Sequence, residues 1–251
     1  MKRLYHITFS PTGTSRAAGE VIARAFGTEN RTVDLCARTV DAPQIGREAL
    51  CVFSVPCYGG RVPQTAAERL GLIRGEETPA ILCVAFGNRA FEDALLELSD
   101  LVAANGFRVA AACAVVTQHN IMPVYGAGRP DAADRAELRA FAAAAAEKLA
   151  AGSFEPPALP GSRPYRARKD GPTVIEVAET CSGCGLCARD CPVGAIAAGS
   201  RQTDPAACIG CMRCIARCPT NSRRLPAEKV RSMTERLRPA CETPKQNAFF
   251  L

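Results

Sequence analysis

The sequence predicts an α/β protein: a doubly wound, parallel five-stranded sheet followed by a small α+β module rich in cysteine. Three observations lead there. Over residues 1–153, short apolar segments alternate with segments of helical periodicity. The apolar segments lack the polar alternation of a half-exposed strand, so they read as strands buried on both faces, which implies helices on either side of a parallel sheet. Beyond residue 173 a spaced run of cysteines occurs twice. At 251 residues the chain has room for one large or two modest domains.

In chain order the strand candidates are Leu4–Phe9, Arg31–Leu35, Ala49–Val55, Ala80–Ala85 and Phe107–Val116. Helical spacing between them places Phe91, Ala94, Leu95, Leu98 and Val102 on one face of a helix over Asn88–Asn105, with Gly106 as its stop. The segment Asp131–Ala151 has Asp131 as N-cap and Leu138, Phe141, Ala142, Ala145 and Leu149 as its buried stripe, and Gly152 follows. Residues 154–172 hold Pro156, Pro157, Pro160, Pro164 and Pro172 together with Arg163, Arg166, Arg168 and Lys169. They read as an extended linker whose basic cluster is a solvated surface, with docking of a partner as the alternative. The cysteine module occupies 173–225. Residues 226–251 add a helix over Pro226–Arg238 and the apolar end Phe249-Phe250-Leu251, which is expected to pack on a domain or to form a homodimer contact.

Composition narrows the function classes. With 47% apolar residues and a net charge of +6, the chain has the make-up of a soluble globular protein that could meet an acidic redox partner. No Trp and four Tyr leave little to stack on bases, which argues against nucleic-acid binding. No apolar run is long enough for a membrane span. Met1-Lys2-Arg3 is not followed by an uninterrupted apolar stretch, since His6 and Ser10 break it, so the expected location is cytoplasmic.

Fourteen cysteines are present, eight of them between Cys181 and Cys218. With no export signal, metal is favoured over disulfides. Both repeats read C-x-x-C-x-x-C-x-x-x-C-P, ending in Pro192 and Pro219. Two-residue spacing wraps three soft thiolates around one iron–sulfur cube, and the fourth, three residues on, reaches a second cube. One 4Fe-4S cluster is then held by Cys181, Cys184, Cys187 and Cys218, the other by Cys208, Cys211, Cys214 and Cys191. Structural zinc, which normally takes two C-x-x-C pairs, fits this double run poorly. Thr173–Leu225 resembles bacterial-type ferredoxins with two 4Fe-4S clusters. After Cys218-Pro219 the sequence T-N-S-R-R-L departs from that family's usual apolar continuation, placing Asn221, Arg223 and Arg224 beside one cluster.

The larger domain carries three loops at the carboxyl ends of its strands, where doubly wound sheets bind ligands. S-P-T-G-T-S supplies Ser10, Thr12, Gly13, Thr14 and Ser15 just before a helix, a composition suited to a phosphate. No Walker lysine follows, and no G-x-G-x-x-G is present. The other loops are P-C-Y-G-G-R-V-P from Pro56 and F-G-N-R-A-F-E-D from Phe86. Here the chain resembles a flavodoxin, whose phosphate loop is S/T-x-T-G-x-T, with Ser15 at the last position. The resemblance implies bound FMN, with Tyr58 stacked on the ring, Gly59 or Gly60 offering it a carbonyl, and Gly87, Asn88, Arg89 and Phe91 along its pyrimidine side. A flavodoxin-like domain that has lost its cofactor is the alternative. Cys57 reads as a loop filler, Cys51, Cys83 and Cys113 as buried strand residues, and His6 and His119 as structural, although His119 could also tune the flavin.

Over nearly its full length, including the G-N-R-x-F/Y segment and the aromatic C-terminus, the chain resembles flavodoxin–ferredoxin fusion proteins common in anaerobes. That implies an electron carrier passing single electrons between two 4Fe-4S clusters and FMN, with redox proteins as partners. A ferredoxin-linked flavin reductase of a quinone or nitro compound is the runner-up. A redox-responsive binding protein is the third reading.

Overall fold

The computed structural model describes residues 3–27, 30–168 and 171–251. Met1, Lys2 and Lys169, named above for their place or charge, lie outside them. Five strands run parallel: β1 (Arg3–Thr8), β2 (Asn30–Asp34), β3 (Ala49–Pro56), β4 (Thr78–Phe86) and β5 (Phe107–Val116). Their order across the sheet is β2-β1-β3-β4-β5, the flavodoxin-like doubly wound order, whose switch point lies between β1 and β3. Every residue of β4 is buried, as expected of a central strand covered on both faces.

Four helices cover the sheet: α1 (Thr14–Arg24), α2 (Gln64–Leu70), α3 (Ala94–Ala103) and α4 (Ala132–Ala150). One core layer joins Ile22 of α1 and Leu138, Phe141 and Leu149 of α4 to Leu4, Val52 and Ile81. The opposite layer joins Leu70 of α2 and Leu95, Leu98 and Val102 of α3 to Ile7, Phe53 and Leu82. Helix α4 begins as its sequence indicates, with a reciprocal capping box between Asp131 and Asp134. Helix α3 starts at Ala94 rather than Asn88, because Asn88 and Glu92 adopt left-handed backbone (φ 59° and 44°) that a helix cannot accommodate.

The chain's end is more ordered than its sequence indicates. Helix α5 (Ala227–Cys241) is followed by β6 (Ala248–Phe250), which pairs antiparallel with Ala112–Ala114 of β5. Residues with too little length for a strand signal thus close the exposed edge of the sheet. Phe249 packs on Phe141 with ring centroids 5.3 Å apart, and Phe250 meets the opposite core layer.

The basic linker, though Arg163 stays 60% exposed, is tied to the sheet domain by ion pairs. Asp100 takes both Arg163 and the Tyr165 hydroxyl, Glu92 pairs with Arg166, and Glu97 accepts from Arg168 at 2.7 Å. Asp93 accepts from the Ser162 and Arg166 amides. The acidic side chains of α3 and of the turn before it therefore bind the linker down, a pairing across more than sixty residues that composition cannot reveal.

Candidate functional site

The cysteine module is built on two single-turn helices, Leu186–Arg189 and Arg213–Ala216, each following a left-handed residue, Gly185 (φ 74°) and Met212 (φ 60°). A two-stranded antiparallel ribbon pairs Glu176 with Arg224 and Val177 with Arg223. Between these elements lies a small hollow whose wall includes Cys191, Cys208, Cys211 and Cys214. The fourth thiol of the first run thus joins the first three of the second. The donor set fits a cube: four soft thiols line one hollow, the ligands a 4Fe-4S cluster takes. Burial pushes the Cys211 thiol up to about 12, with Cys214, Cys191 and Cys208 adding to the shift. Such thiols ionise when a metal compensates the charge.

The other set has its own amide donor. The Ser222 N–H donates to Cys218 Sγ at 3.3 Å, and Arg223 Nη1 donates to Cys187 Sγ at 3.4 Å. Hydrogen bonds to ligand sulfur stabilise the reduced cluster.

At the sheet edge, Ser10 and Ser15 are buried, Thr12 and Thr14 half-buried, and Gly13 turns the loop at φ 96°. Ser10 Oγ accepts from the Arg16 amide at 2.9 Å, fixing the loop at the start of α1. The Gly13 α-carbon faces open space: a methyl added there would meet nothing within 4 Å. An anion cradle of hydroxyls at a helix start fits this segment.

After Pro56, residues Tyr58 and Arg61 exchange backbone hydrogen bonds (2.9 and 3.1 Å) around Gly59 (φ 59°) and Gly60 (φ 88°), a tight turn that needs two left-handed residues. The Gly60 carbonyl accepts from the Asp93 amide at 3.1 Å. Cys57 Sγ points at the carbonyls of Ala90 and Phe91 (3.7 and 3.6 Å), and burial pushes its thiol up to about 11. It ties two loops together.

The loop after β4 is occupied differently. The Asn88 side chain donates to the Cys241 carbonyl at 2.6 Å and accepts from the Lys245 amide at 2.9 Å, anchoring the C-terminal segment. Arg89 pairs with Glu92, and Phe91 packs on Phe86 with centroids 5.4 Å apart. Adding a side chain at Gly87 would strike the His119 ring. His119 Nδ1 accepts from the Ile121 and Met122 amides (3.1 and 3.2 Å), and burial lowers its pKa to about 4.

Sequence reasoning did not foresee how closely the cysteine module adjoins the loop edge of the sheet. Arg38 donates to the carbonyls of Ala188 (2.5 Å) and Cys191 (3.3 Å), and Arg69 to those of Leu35 and Pro192 (both 2.6 Å). Arg213 reaches Asp34 at 3.8 Å. Ile209 packs on the core layer of α2 and α3, while Ile121 contacts both the α5 cluster and the Met212 cluster. Burial raises the Tyr58 phenol well above its usual range, the Cys211 and Cys36 thiols add to the shift, and the Asn120 side chain opposes it through a hydrogen bond. Cys36 in turn lies beside the Ser10 backbone, Arg213 and Cys211. Residues after β2, β3 and β5 therefore lie against the two cysteine runs. These arginines carry no motif, because their partners are single carbonyls far away in the chain.

Residues 173–219 match a family of 4Fe-4S dicluster domains. No curated protein matches the chain. Among solved structures, it is similar to a rubredoxin oxygen:oxidoreductase from Desulfovibrio gigas at 17% identity and TM-score 0.43, covering 60% of this chain and 37% of that one. It is also similar to a Streptococcus pneumoniae TIGR4 flavodoxin (16% identity, TM-score 0.39, 58% of this chain and 99% of that one). An NADH:FMN oxidoreductase in apo form gives 13% identity and TM-score 0.40 over 58% of this chain and 88% of that one. A 4Fe-4S module on a flavodoxin-like sheet supports an electron-transfer role.

Proposed function

We propose that this chain, whose sheet order and dicluster module fit a flavodoxin–ferredoxin fusion, passes single electrons between two 4Fe-4S clusters and FMN. When bound, each cluster exchanges one electron and FMN one or two, so the pair links one- and two-electron chemistry. The observation that carries the reading is the junction just described: Tyr58, on the turn that would flank the flavin, shares its surroundings with the ligand Cys211.

The chain's own residues have distinct parts in this reading. Ser10, Thr12, Gly13, Thr14 and Ser15 hold the phosphate, and Tyr58 flanks the ring. Gly59 is the residue to offer a carbonyl, since that of Gly60 is taken by Asp93. Asn88 and Phe91 shape the pyrimidine side from behind, through the tail and the core, rather than by touching the ring. Cys208, Cys211, Cys214 and Cys191 hold the cluster nearer the flavin; Cys181, Cys184, Cys187 and Cys218 hold the outer one. Arg38 and Arg69 keep the two sites in register. Residues 1–153, 154–172, 173–225 and 226–251 are the flavin domain, linker, cluster domain and C-terminal strap of this scheme.

The test is stopped-flow mixing of FMN-loaded protein with a one-electron donor, in wild type and Cys211→Ser. Flavin reduction that slows at least tenfold in the variant, with FMN still bound, supports the reading. An unchanged rate overturns it.

A further inference from the structure

Arg223 is 3% exposed, and its Nε is buried without a hydrogen-bond partner. Its neighbour Arg224, by contrast, is exposed and paired with Glu176 at 3.1 Å. The other Arg223 donors are directed inward: Nη1 to Cys187 Sγ (3.4 Å) and to the Arg201 carbonyl (3.0 Å), and Nη2 to Thr203 Oγ1. Thr203 lines the Cys191–Cys208–Cys211–Cys214 cavity. The guanidinium therefore lies between Cys187 of one set and the wall of the cavity lined by the other. Backbone pairing with Val177 holds the residue in place.

A cation this deeply buried, with neutral side-chain and backbone partners, is expensive unless negative charge lies nearby. Arg223 has the Cys187 thiol of one ligand set within hydrogen-bond distance and, through Thr203, the wall of the other set's cavity beside it. We propose that Arg223 is a charge shared by the two clusters, which raises both reduction potentials together and lowers the repulsion between them when both are reduced. This rests on the two-cluster reading. It is a positioning and tuning role, separate from ligation: the guanidinium favours the more negative, reduced form of each cluster, and its hydrogen bonds fall on the Cys187 sulfur of one set and on Thr203 in the wall of the other.

The test is an anaerobic redox titration of the full chain followed by EPR, after iron has been counted. About eight irons per chain establishes the reading on which the proposal rests; about four defeats that reading and leaves nothing for Arg223 to bridge. Arg223→Met removes the charge while filling the space. At fixed potential it should lower the reduced-to-oxidised ratio of both clusters about tenfold, or 59 mV per one-electron couple. Arg223→Lys, which keeps the charge, should lower it by less than about threefold, and Arg224→Met should change neither. A shift in only one cluster, or in none, at full iron content overturns the proposal. If Arg223→Met fails to hold iron, wild-type protein carrying 15N-arginine decides. A guanidino-nitrogen coupling in the signals of both reduced clusters supports the sharing, and coupling to one or neither overturns it.

Discussion

Glu97 is a buried carboxylate of the parallel-sheet domain with four hydrogen-bond donors, and Glu97→Gln measures what they contribute. Its side chain is 5% exposed. Oε2 accepts from Arg61 Nε (2.7 Å) and the Val62 amide (2.8 Å), and Oε1 from Arg61 Nη2 (2.8 Å) and Arg168 Nη2 (2.7 Å). All four partners are donors. Whichever way a glutamine amide is turned, its NH₂ faces two of them, so two charge-assisted bonds are lost and two cations lose their counter-ion. Breaking a buried pair in this way costs about 3–5 kcal/mol. For a unit of this size that corresponds to roughly 10 °C in melting temperature. The change also frees both ends of the structure that Glu97 fastens, the Tyr58–Arg61 turn and the linker at Arg168. The assay is denaturant unfolding of the anaerobic, iron-loaded chain followed by circular dichroism, with Glu228→Gln, an exposed pair with Arg231, as the control worth under about 0.5 kcal/mol. A Glu97→Gln variant that unfolds at the wild-type midpoint would refute the reasoning.

Other outcomes follow from the same geometry. Thr12→Ala with Ser15→Ala should weaken FMN binding at least tenfold while iron content stays constant, as equilibrium dialysis and iron analysis will show; joint loss of iron would contradict separate sites. Cys191→Ser and Cys218→Ser should each cost one cluster, leaving about four irons per chain; if either variant keeps both, the crossed ligation is wrong. Asn88→Ala should release the C-terminal strap at a cost of about 2 kcal/mol, read as faster amide exchange over residues 243–250. The pH dependence has a defined sign. Burial lowers the pKa of both His6, whose Nε2 is bonded to Ser54 Oγ, and His119, whose Nδ1 is an acceptor, to about 4, so both rings are neutral. Their neutral forms contribute fully above the unfolded value of 6.5. The contribution falls away as pH drops from there towards 4, by about 2 kcal/mol per histidine at pH 5. Denaturant midpoints at pH 7 and pH 5.5 will show it, and a midpoint independent of pH would contradict it.

The inner strands were legible because they are apolar on both faces, a signal local to each segment; β2, at the sheet edge, is polar and mostly exposed, and was expected to be buried on both faces. The stripe of α4 and the Asp131 cap read correctly for the same reason. The start of α3 did not, since the left-handed Asn88 and Glu92 follow from contacts with the tail and with Arg89 and Arg166. The strand at Ala248–Phe250 has three residues, too few for periodicity, and exists because the edge of β5 is there to pair with. The cysteine runs announced a cluster module through spacing alone. Their position against the flavin domain was invisible, because it depends on Arg38, Arg69 and Ile209 meeting partners distant in sequence.

The central claim, a flavin site and two clusters in one chain, is tested most directly by stoichiometry. Protein purified anaerobically and reconstituted with FMN should contain about eight irons, about eight sulfides and one FMN per chain. About four irons, or no retained flavin, would contradict it.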